Sequence, residues 1–259
     1  MAQLTLLEKC YGRHSSRFLP LFGDALSSIV QGLEARVTVL GKTSDNWLQV
    51  EVSGQDAPVV TTYLQQRFGV APTSLEQVTP FSGFRGKIIA SGKVGYGLYV
   101  DIGIAAPRHI DVLLPLHVLR SQLAYGKKVS LTQLVDAFTL YTNLPLEIQI
   151  TRTDPDQEEV EGRLSTRQSA RFEEWLSLDF DRILVLGARF DDVTRVVKRV
   201  GAIRDVIKII QLGFLEQLLL CKLGTDGPGV ITKMGPWFPQ TPLHCFSPTQ
   251  ARTILRSMA

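Results

Sequence analysis

The chain opens with a short apolar run and continues with apolar residues at helical spacing. The run from Leu4 to Leu7 precedes Gly12, and Ser15 and Ser16 suit a helix N-cap. Beyond them apolar residues recur at three- and four-residue steps, which predicts an amphipathic helix. Two β-prone runs (35–40 and 47–52) with a turn between them predict a hairpin, and residues 57–68 predict a second helix. The order β-α-β-β-α is most of the ferredoxin-like pattern.

The end of the chain shows a similar order of elements. Residues 182–187 predict a strand, and valines at helical spacing over 190–200 predict a helix. Apolar runs at 207–212 and 215–223 follow, and residues 248–256 predict a terminal helix. We therefore expect a second small α+β region.

The middle of the chain consists of short β-prone runs separated by glycines and turns. Five strands are predicted, with a helix over 131–138 between the third and the fourth: 84–90, 97–102, 111–114, 146–151 and 160–165. This is the order of an OB-fold barrel, a platform for oligonucleotides. The predicted fold is α+β, with a central five-stranded barrel between two small ferredoxin-like (β-α-β-β-α) regions. The expected domains are 1–80, 81–172 and 173–259.

Residues 82–172 resemble the S1 RNA-binding domain. Residues 95–103, GYGLYVDIG, are very close to the second-strand signature of that family, and GKII at 86–89 is similar to its first strand. Residues 111–119 are similar to the third strand and the turn that follows it. The resemblance implies an S1-like OB barrel that binds RNA. The chain departs from the family at Pro115, where many S1 domains carry a histidine.

Side-chain alternation identifies the residues of this barrel that we expect to bind RNA. In the second strand Leu98, Val100 and Ile102 point inward, whereas Tyr99 and Asp101 point outward. Tyr96 can stand near Tyr99 if Gly97 permits a bend. Exposed tyrosine rings offer faces for base stacking. The groups predicted to meet phosphates are Lys87, Arg85, Lys93 and Arg108. The alternatives are half-buried barrel tyrosines and solubilising surface cations.

Charge is unevenly distributed along the chain, although the net charge is only +3. Residues 81–130 carry seven basic and two acidic side chains, which suits a phosphate-binding surface or a solvated face. Residues 131–172 carry a net −3, mainly from the loop Asp154–Glu161, and this loop would repel a nearby phosphate backbone. The basic segment favours RNA binding by the barrel, whereas the acidic loop opposes it.

Length and composition favour a cytoplasmic protein. The chain has 259 residues, 44% of them hydrophobic, which is enough for a core without disulfides. Its cysteines, Cys10, Cys221 and Cys245, are far apart in the sequence. We expect neither a signal peptide nor a membrane-spanning helix, and therefore no membrane partner.

Motifs for catalysis, metals and cofactors are weak. The four histidines lack metal-binding spacing, so we predict no metal site and no cofactor. Cys221 lies in a leucine-rich run that predicts a buried thiol, and the neighbours His244 and Cys245 would point apart on an extended chain. Residues 222–229 lack the order of a phosphate loop and predict a hairpin turn. We expect no enzyme.

The C-terminal run from Asp205 to Gly229 resembles an uncharacterised family of archaeal proteins of about this length, with an S1-like segment between two α+β regions. That resemblance favours an archaeal, cytoplasmic origin and brings no activity. The hypothesis is non-catalytic binding of single-stranded RNA in transcription, translation or RNA processing. The alternative is a protein–protein adaptor that docks on the ribosome or RNA polymerase through a degenerate S1-like barrel.

Overall fold

The computed structural model describes residues 1–12, 18–91 and 94–256. Within these ranges the chain forms an N-terminal α+β domain, a closed five-stranded barrel and a C-terminal α+β domain. The predicted α+β fold, with a central barrel between two flanking regions, is confirmed. In the described ranges, no helix combines the length and the apolar character that crossing a membrane requires.

The N-terminal domain packs two helices against a three-stranded antiparallel sheet. The elements follow the predicted order: β1 (Ala2–Lys9), α1 (Phe18–Ile29), β2 (Ala35–Lys42), β3 (Trp47–Gly54) and α2 (Ala57–Phe68). The strand order is β1-β3-β2, and beside β1 a single bridge joins Leu6 to Val70 where a fourth strand would lie. The helix cap predicted at Ser15 and Ser16 lies outside the described residues.

The central domain is a closed barrel. Its strands are β4 (Gly83–Ile89), β5 (Gly97–Ile104), β6 (Ile110–Pro115), β7 (Pro145–Asp154) and β8 (Glu159–Leu164). Their order around the barrel is β4-β5-β6-β8-β7, with β6 and β8 parallel and β7 closing on β4. Buried side chains such as Val100, Val112 and Ile148 fill the interior. All five predicted strands are confirmed, and the barrel is OB-like.

Three helices lie beside the barrel, of which the sequence predicted only the second: α3 (Leu116–Leu123), α4 (Leu131–Phe138) and α5 (Thr166–Ser177). A capping box between Ser130 and Gln133 fixes the start of α4. The expected domain boundary after residue 172 falls inside α5. That helix continues to Ser177 because Phe172 and Trp175 are both buried in the core that the barrel shares with the C-terminal domain.

The C-terminal domain has the complete ferredoxin-like order. Its elements are β9 (Arg182–Leu186), α6 (Phe190–Arg199), β10 (Val206–Gln211), β11 (Glu216–Cys221), α7 (Gly227–Met234), β12 (Leu243–Phe246) and α8 (Pro248–Arg256). The antiparallel strands are arranged β10-β11-β9-β12. The prediction of a hairpin turn at residues 222–229 is wrong, because this segment leads from β11 into α7.

The C-terminal sheet joins the three domains. One face of the sheet, with Leu184, Leu218 and Phe246, packs on the barrel helices, while the other face packs on α6 and α7. The turn between β10 and β11 enters the N-terminal core, where the Phe214 ring lies 4.5 Å from the Phe22 ring. The domains therefore share buried surfaces, which explains how side chains on the outside of the barrel become buried.

Candidate nucleic-acid interface

Tyr96 and Tyr99 lie side by side on the barrel, with Tyr96 exposed and Tyr99 half-buried. Their hydroxyl oxygens lie 3.0 Å apart, and their rings meet edge to face with centroids 6.3 Å apart. Tyr96 is 58% exposed. Gly97 between them is required because a Cβ atom there would lie 2.6 Å from the carbonyl oxygen of Leu114 on β6. The pair can offer an aromatic face to a ligand.

The surroundings of the pair are acidic, contrary to the expected basic surface. A groove of about 400 Å3, here called the tyrosine groove, is lined by both tyrosines, Arg108 and several carboxylates (Asp111, Glu158, Glu159 and Glu161). Arg108, predicted to meet phosphate, is paired with Glu158 from the acidic loop. The hydrogen bond with Tyr96, burial and the charges of Tyr96, Asp111 and Glu159 raise the pKa of Tyr99 to about 12. The groove therefore disfavours anions.

The expected surface position of Lys87 is wrong. Its side chain points outward from the barrel but is only 2% exposed, because the N-terminal and C-terminal domains cover this part of β4. The ammonium donates to Glu216 over 2.7 Å and to Glu8 over 3.3 Å. Although burial opposes the charged form, the two carboxylates raise the pKa of Lys87. Lys87 is therefore a buried ion-pair partner and no surface phosphate ligand.

Asp101 is covered in the same way. It is 1% exposed and accepts hydrogen bonds from Lys9 and from the Trp47 indole of the N-terminal domain. One ligand atom from each of Asp101, His109 and Asp111 lies within 4.8 Å of the others. These atoms already have protein partners, since the two ring nitrogens of His109 contact Asp45 (3.2 Å) and Asp111 (2.9 Å). The cluster therefore joins the turn after β2 to the barrel.

Arg85 lies across the barrel from β6, beside the C-terminal domain. It lines a cavity of about 400 Å3, here called the arginine cleft, between β4, β7, α5 and the sheet face of β10 and β11. Three arginines surround one carboxylate of β7, with nitrogen–oxygen distances to Glu147 of 4.0 Å (Arg85), 3.8 Å (Arg167) and 3.5 Å (Arg171). At these distances Glu147 holds none of the three guanidinium groups in a close bidentate pair.

The arginine cleft has a surplus of positive charge over an apolar floor. Five cations line it (Arg85, Arg167, Arg171, Arg182 and Lys208) against the two carboxylates of Glu147 and Glu174, a net charge of +3. Arg182 is structural, since its guanidinium donates to the carbonyl oxygens of Trp175 and Phe180. The floor includes Ile210 and Leu218 of the C-terminal sheet and Leu212 of the turn between β10 and β11. Of the predicted phosphate ligands that the structure describes, Arg85 is the one that lies in such a site.

A second cavity continues from the arginine cleft towards the N-terminal domain. This cavity of about 520 Å3 shares Arg85, Glu147 and Arg167 with the cleft and extends to Gln65 and Gln66 on α2. Beside this cavity Arg85 donates to the carbonyl oxygen of Arg67 over 3.2 Å. The two cavities share lining residues and form one groove, in which Arg167 is exposed and Arg85 is half-buried. Lys93, the remaining predicted ligand, lies outside the described residues.

Sequence reasoning missed the other cations of the cleft. Arg167 and Arg171 are four residues apart, so they share one face of α5, but this helix was not predicted. The segment from Ser165 to Gln168 carried the signal, since the Ser165 side chain accepts from the Gln168 amide as an N-cap. Lys208 belongs to a strand whose contact with the barrel no local pattern indicates.

The thiols are placed away from these surfaces. Cys221 is buried, as predicted, and burial followed by the charge of Asp181 raises its pKa to about 11. The same two causes, in the same order, raise the pKa of Cys245 to about 12. The neighbouring His244 ring stacks on Tyr141, with centroids 3.9 Å apart, and burial lowers its pKa. This is not the arrangement of an activated Cys–His couple.

Comparisons with known proteins bear on the fold and the family. Among proteins of curated function, none matches this chain. Two solved structures are similar to parts of it, each over 34% of this chain with a TM-score of 0.23: the uncharacterized protein MJ1198 from Methanocaldococcus jannaschii (15% identity, 95% of that chain) and a protein from vaccinia virus, Wisconsin strain (13% identity, 88% of that chain). Scores this low do not establish a shared fold.

The match to family models covers nearly the whole chain. The N-terminal domain of DUF2110 matches residues 3–74, its central domain residues 79–176 and its C-terminal domain residues 180–244. Three matches in this order, over most of the sequence, show that the protein belongs to the DUF2110 family.

Proposed function

We propose that this protein binds single-stranded RNA without catalysing a reaction and that the arginine cleft holds the phosphates. The observation that carries the proposal is the convergence of five cationic side chains and only two carboxylates in one cavity. Guanidinium groups match phosphate oxygens through paired N–H donors, and their charge supplies the salt-dependent part of the affinity.

The barrel supports RNA as the polyanion. Residues 82–172 resemble the S1 RNA-binding domain, and the observed strand order is that of an OB-fold. In this proposal RNA binds a different face of the barrel from the face with Tyr96 and Tyr99 that the sequence predicted. β4 and β7 carry Arg85 and Glu147 and do not adjoin β6, which borders the tyrosine groove. We therefore assign the phosphates to the β4–β7 side.

Fluorescence anisotropy with a short single-stranded RNA across a salt series tests this assignment. The double variant Arg85→Gln, Arg167→Gln should lose about tenfold or more in affinity and show a shallower salt dependence, since two phosphate contacts are removed. Arg195→Gln is the matched control, because this exposed arginine pairs with Asp192 on α6, outside the cleft. An equal loss in both variants, or no binding by the wild type at low salt, would contradict the proposal.

The tyrosine groove favours the second candidate, a protein–protein adaptor. Its carboxylates and its two tyrosine rings complement a cationic protein segment better than they complement a phosphate backbone. A ribosome or an RNA polymerase remains the proposed partner for this role. Co-sedimentation with purified ribosomes, and pull-down of purified polymerase, should weaken in Tyr96→Ala, Tyr99→Ala if the groove docks on either. Unchanged retention in the variant would exclude this groove.

We place both proposed activities in the cytoplasm. The cysteine pattern supports this placement, since the three cysteines are far apart in the sequence and include no CxxC pair.

A further inference from the structure

The walls of the arginine cleft differ in chemistry. Its rim carries the exposed Arg167 and Lys208, whereas its floor carries the half-buried side chains of Phe180, Ile210 and Leu212. A bare phosphate would contact only the cations, and an apolar ligand would make no contact with the surplus positive charge of the rim. A nucleotide contacts both, with its base on the apolar floor and its phosphate on the rim. The volume of about 400 Å3 lies within the roughly 300–1,000 Å3 range of small-ligand sites.

The shape of the groove allows one end of an RNA strand to lie in the cleft. The barrel, α5 and the C-terminal sheet enclose it on three sides, and the lining residues that it shares with the second cavity lead out towards α2. An RNA strand that enters the groove near α2 and runs into the cleft meets the C-terminal sheet beyond Arg171. The last nucleotide would then occupy the cleft.

Charge also distinguishes a terminal phosphate from an internal one. A phosphate monoester carries about −1.5 to −2 charges at pH 7, whereas each internal phosphodiester carries one. The net charge of +3 in the cleft therefore favours the monoester. A single phosphodiester would leave more of the positive charge in the cleft uncompensated.

We propose that the arginine cleft binds the terminal, phosphate-bearing nucleotide of an RNA strand. This inference rests on the proposed RNA binding and names the part of the RNA that the site selects. Arg171 and Lys208 would contact the terminal phosphate, and Arg67, which lines a smaller cavity that shares Arg85 with the groove, would contact internal phosphates.

Anisotropy with one RNA sequence in three forms tests the proposal: a 5′-phosphate, a 3′-phosphate and hydroxyls at both ends, each labelled at the end without phosphate or internally. One phosphorylated form should bind about tenfold tighter than the hydroxyl form. Arg171→Gln and Lys208→Gln should abolish that ratio. Arg67→Gln should weaken all three forms alike and keep the ratio, which makes it the matched control. Circular dichroism and thermal unfolding confirm that each variant is folded.

The other outcomes separate this inference from the proposed function. If all three RNAs bind equally well with a steep salt dependence, RNA binding stands and selection of the strand end is overturned. If no RNA binds, calorimetry with the four nucleoside monophosphates tests the free nucleotide. If a monophosphate binds and Lys208→Gln abolishes that binding, the ligand is a free nucleotide. The proposal that the cleft binds the end of an RNA strand would then be overturned. No binding of either kind would overturn both.

Discussion

Lys87 of the barrel donates a hydrogen bond to Glu216 of the C-terminal domain over 2.7 Å, with both side chains almost completely buried. Glu8 of the N-terminal domain lies on the other side of the same ammonium group, at 3.3 Å. Tyr11 donates to Glu216, and the Phe214 amide donates to Glu8 over 3.1 Å. One lysine thus compensates carboxylates from both flanking domains.

The first prediction concerns this cluster. Lys87→Met should lower the free energy of unfolding by about 3–5 kcal/mol, because it leaves two buried carboxylates without a counter-charge. Urea unfolding followed by fluorescence measures the change. Adding Glu216→Gln to the variant should restore part of the loss, since one stranded charge is removed. A loss below about 1 kcal/mol, typical of an exposed pair, would contradict the structural assignment.

The second prediction concerns the carboxylate among the arginines. Glu147→Gln should raise the affinity for RNA about three- to tenfold, because it removes an anion that opposes the phosphates inside the arginine cleft. The salt series used above measures the change. Glu173→Gln, on the exposed side of the same helix α5 as Arg171, is the control and should leave the affinity unchanged. Weaker binding in Glu147→Gln would show that Glu147 positions the arginines.

The third prediction concerns pH and His109. Burial alone would lower its pKa, but Asp111, Asp101 and Asp45 together raise the pKa above the ordinary value of 6.5. The protonated ring therefore stabilises the folded state fully below about pH 6.5, and this contribution is lost as the pH rises through the raised pKa. Asp111, whose pKa is raised mainly by burial, changes stability in the same direction.

Thermal unfolding of wild type and His109→Gln between about pH 5.5 and 9 measures this contribution. The wild type should exceed the variant in Tm at the acidic end, and the difference should shrink as the pH rises. Asp45→Asn should show the same trend, because it removes the partner in the N-terminal domain. A difference that grows with pH would refute the role of the protonated ring.

The fourth prediction concerns the thiols. Cys221 and Cys245 should react slowly with iodoacetamide at about pH 8 in the folded protein, because the thiolate is the reactive form and both pKa values lie well above that pH. Peptide mapping by mass spectrometry before and after urea unfolding measures the labelling. Rapid labelling of Cys245 in the folded protein would mean that its side chain is activated.

The local sequence pattern was sufficient to predict the strands of the barrel. It was insufficient to predict which outward side chains of the barrel are exposed to solvent. Alternation placed Val100 inside and Asp101 outside, and both orientations are observed. Whether an outward side chain meets water depends on what packs against the barrel, and that is decided by residues distant in sequence. Lys87 looked like a surface cation because Glu8 and Glu216 are 79 and 129 residues away from it. The proposed RNA site in the arginine cleft escaped sequence reasoning for the same reason.

The burial of Glu8, Lys87 and Glu216 also constrains the order of assembly during synthesis. Glu8 and Lys87 leave the ribosome early and can pair once the barrel is complete, whereas Glu216 and the Phe214 ring follow more than 120 residues later. Until then the N-terminal core lacks Phe214 and Leu215, and part of its apolar surface stays open. The core of the N-terminal domain, which is synthesised first, is thus completed by residues of the C-terminal domain, which is synthesised last. A ribosome stalled before residue 214 holds a chain whose N-terminal core is partly uncovered.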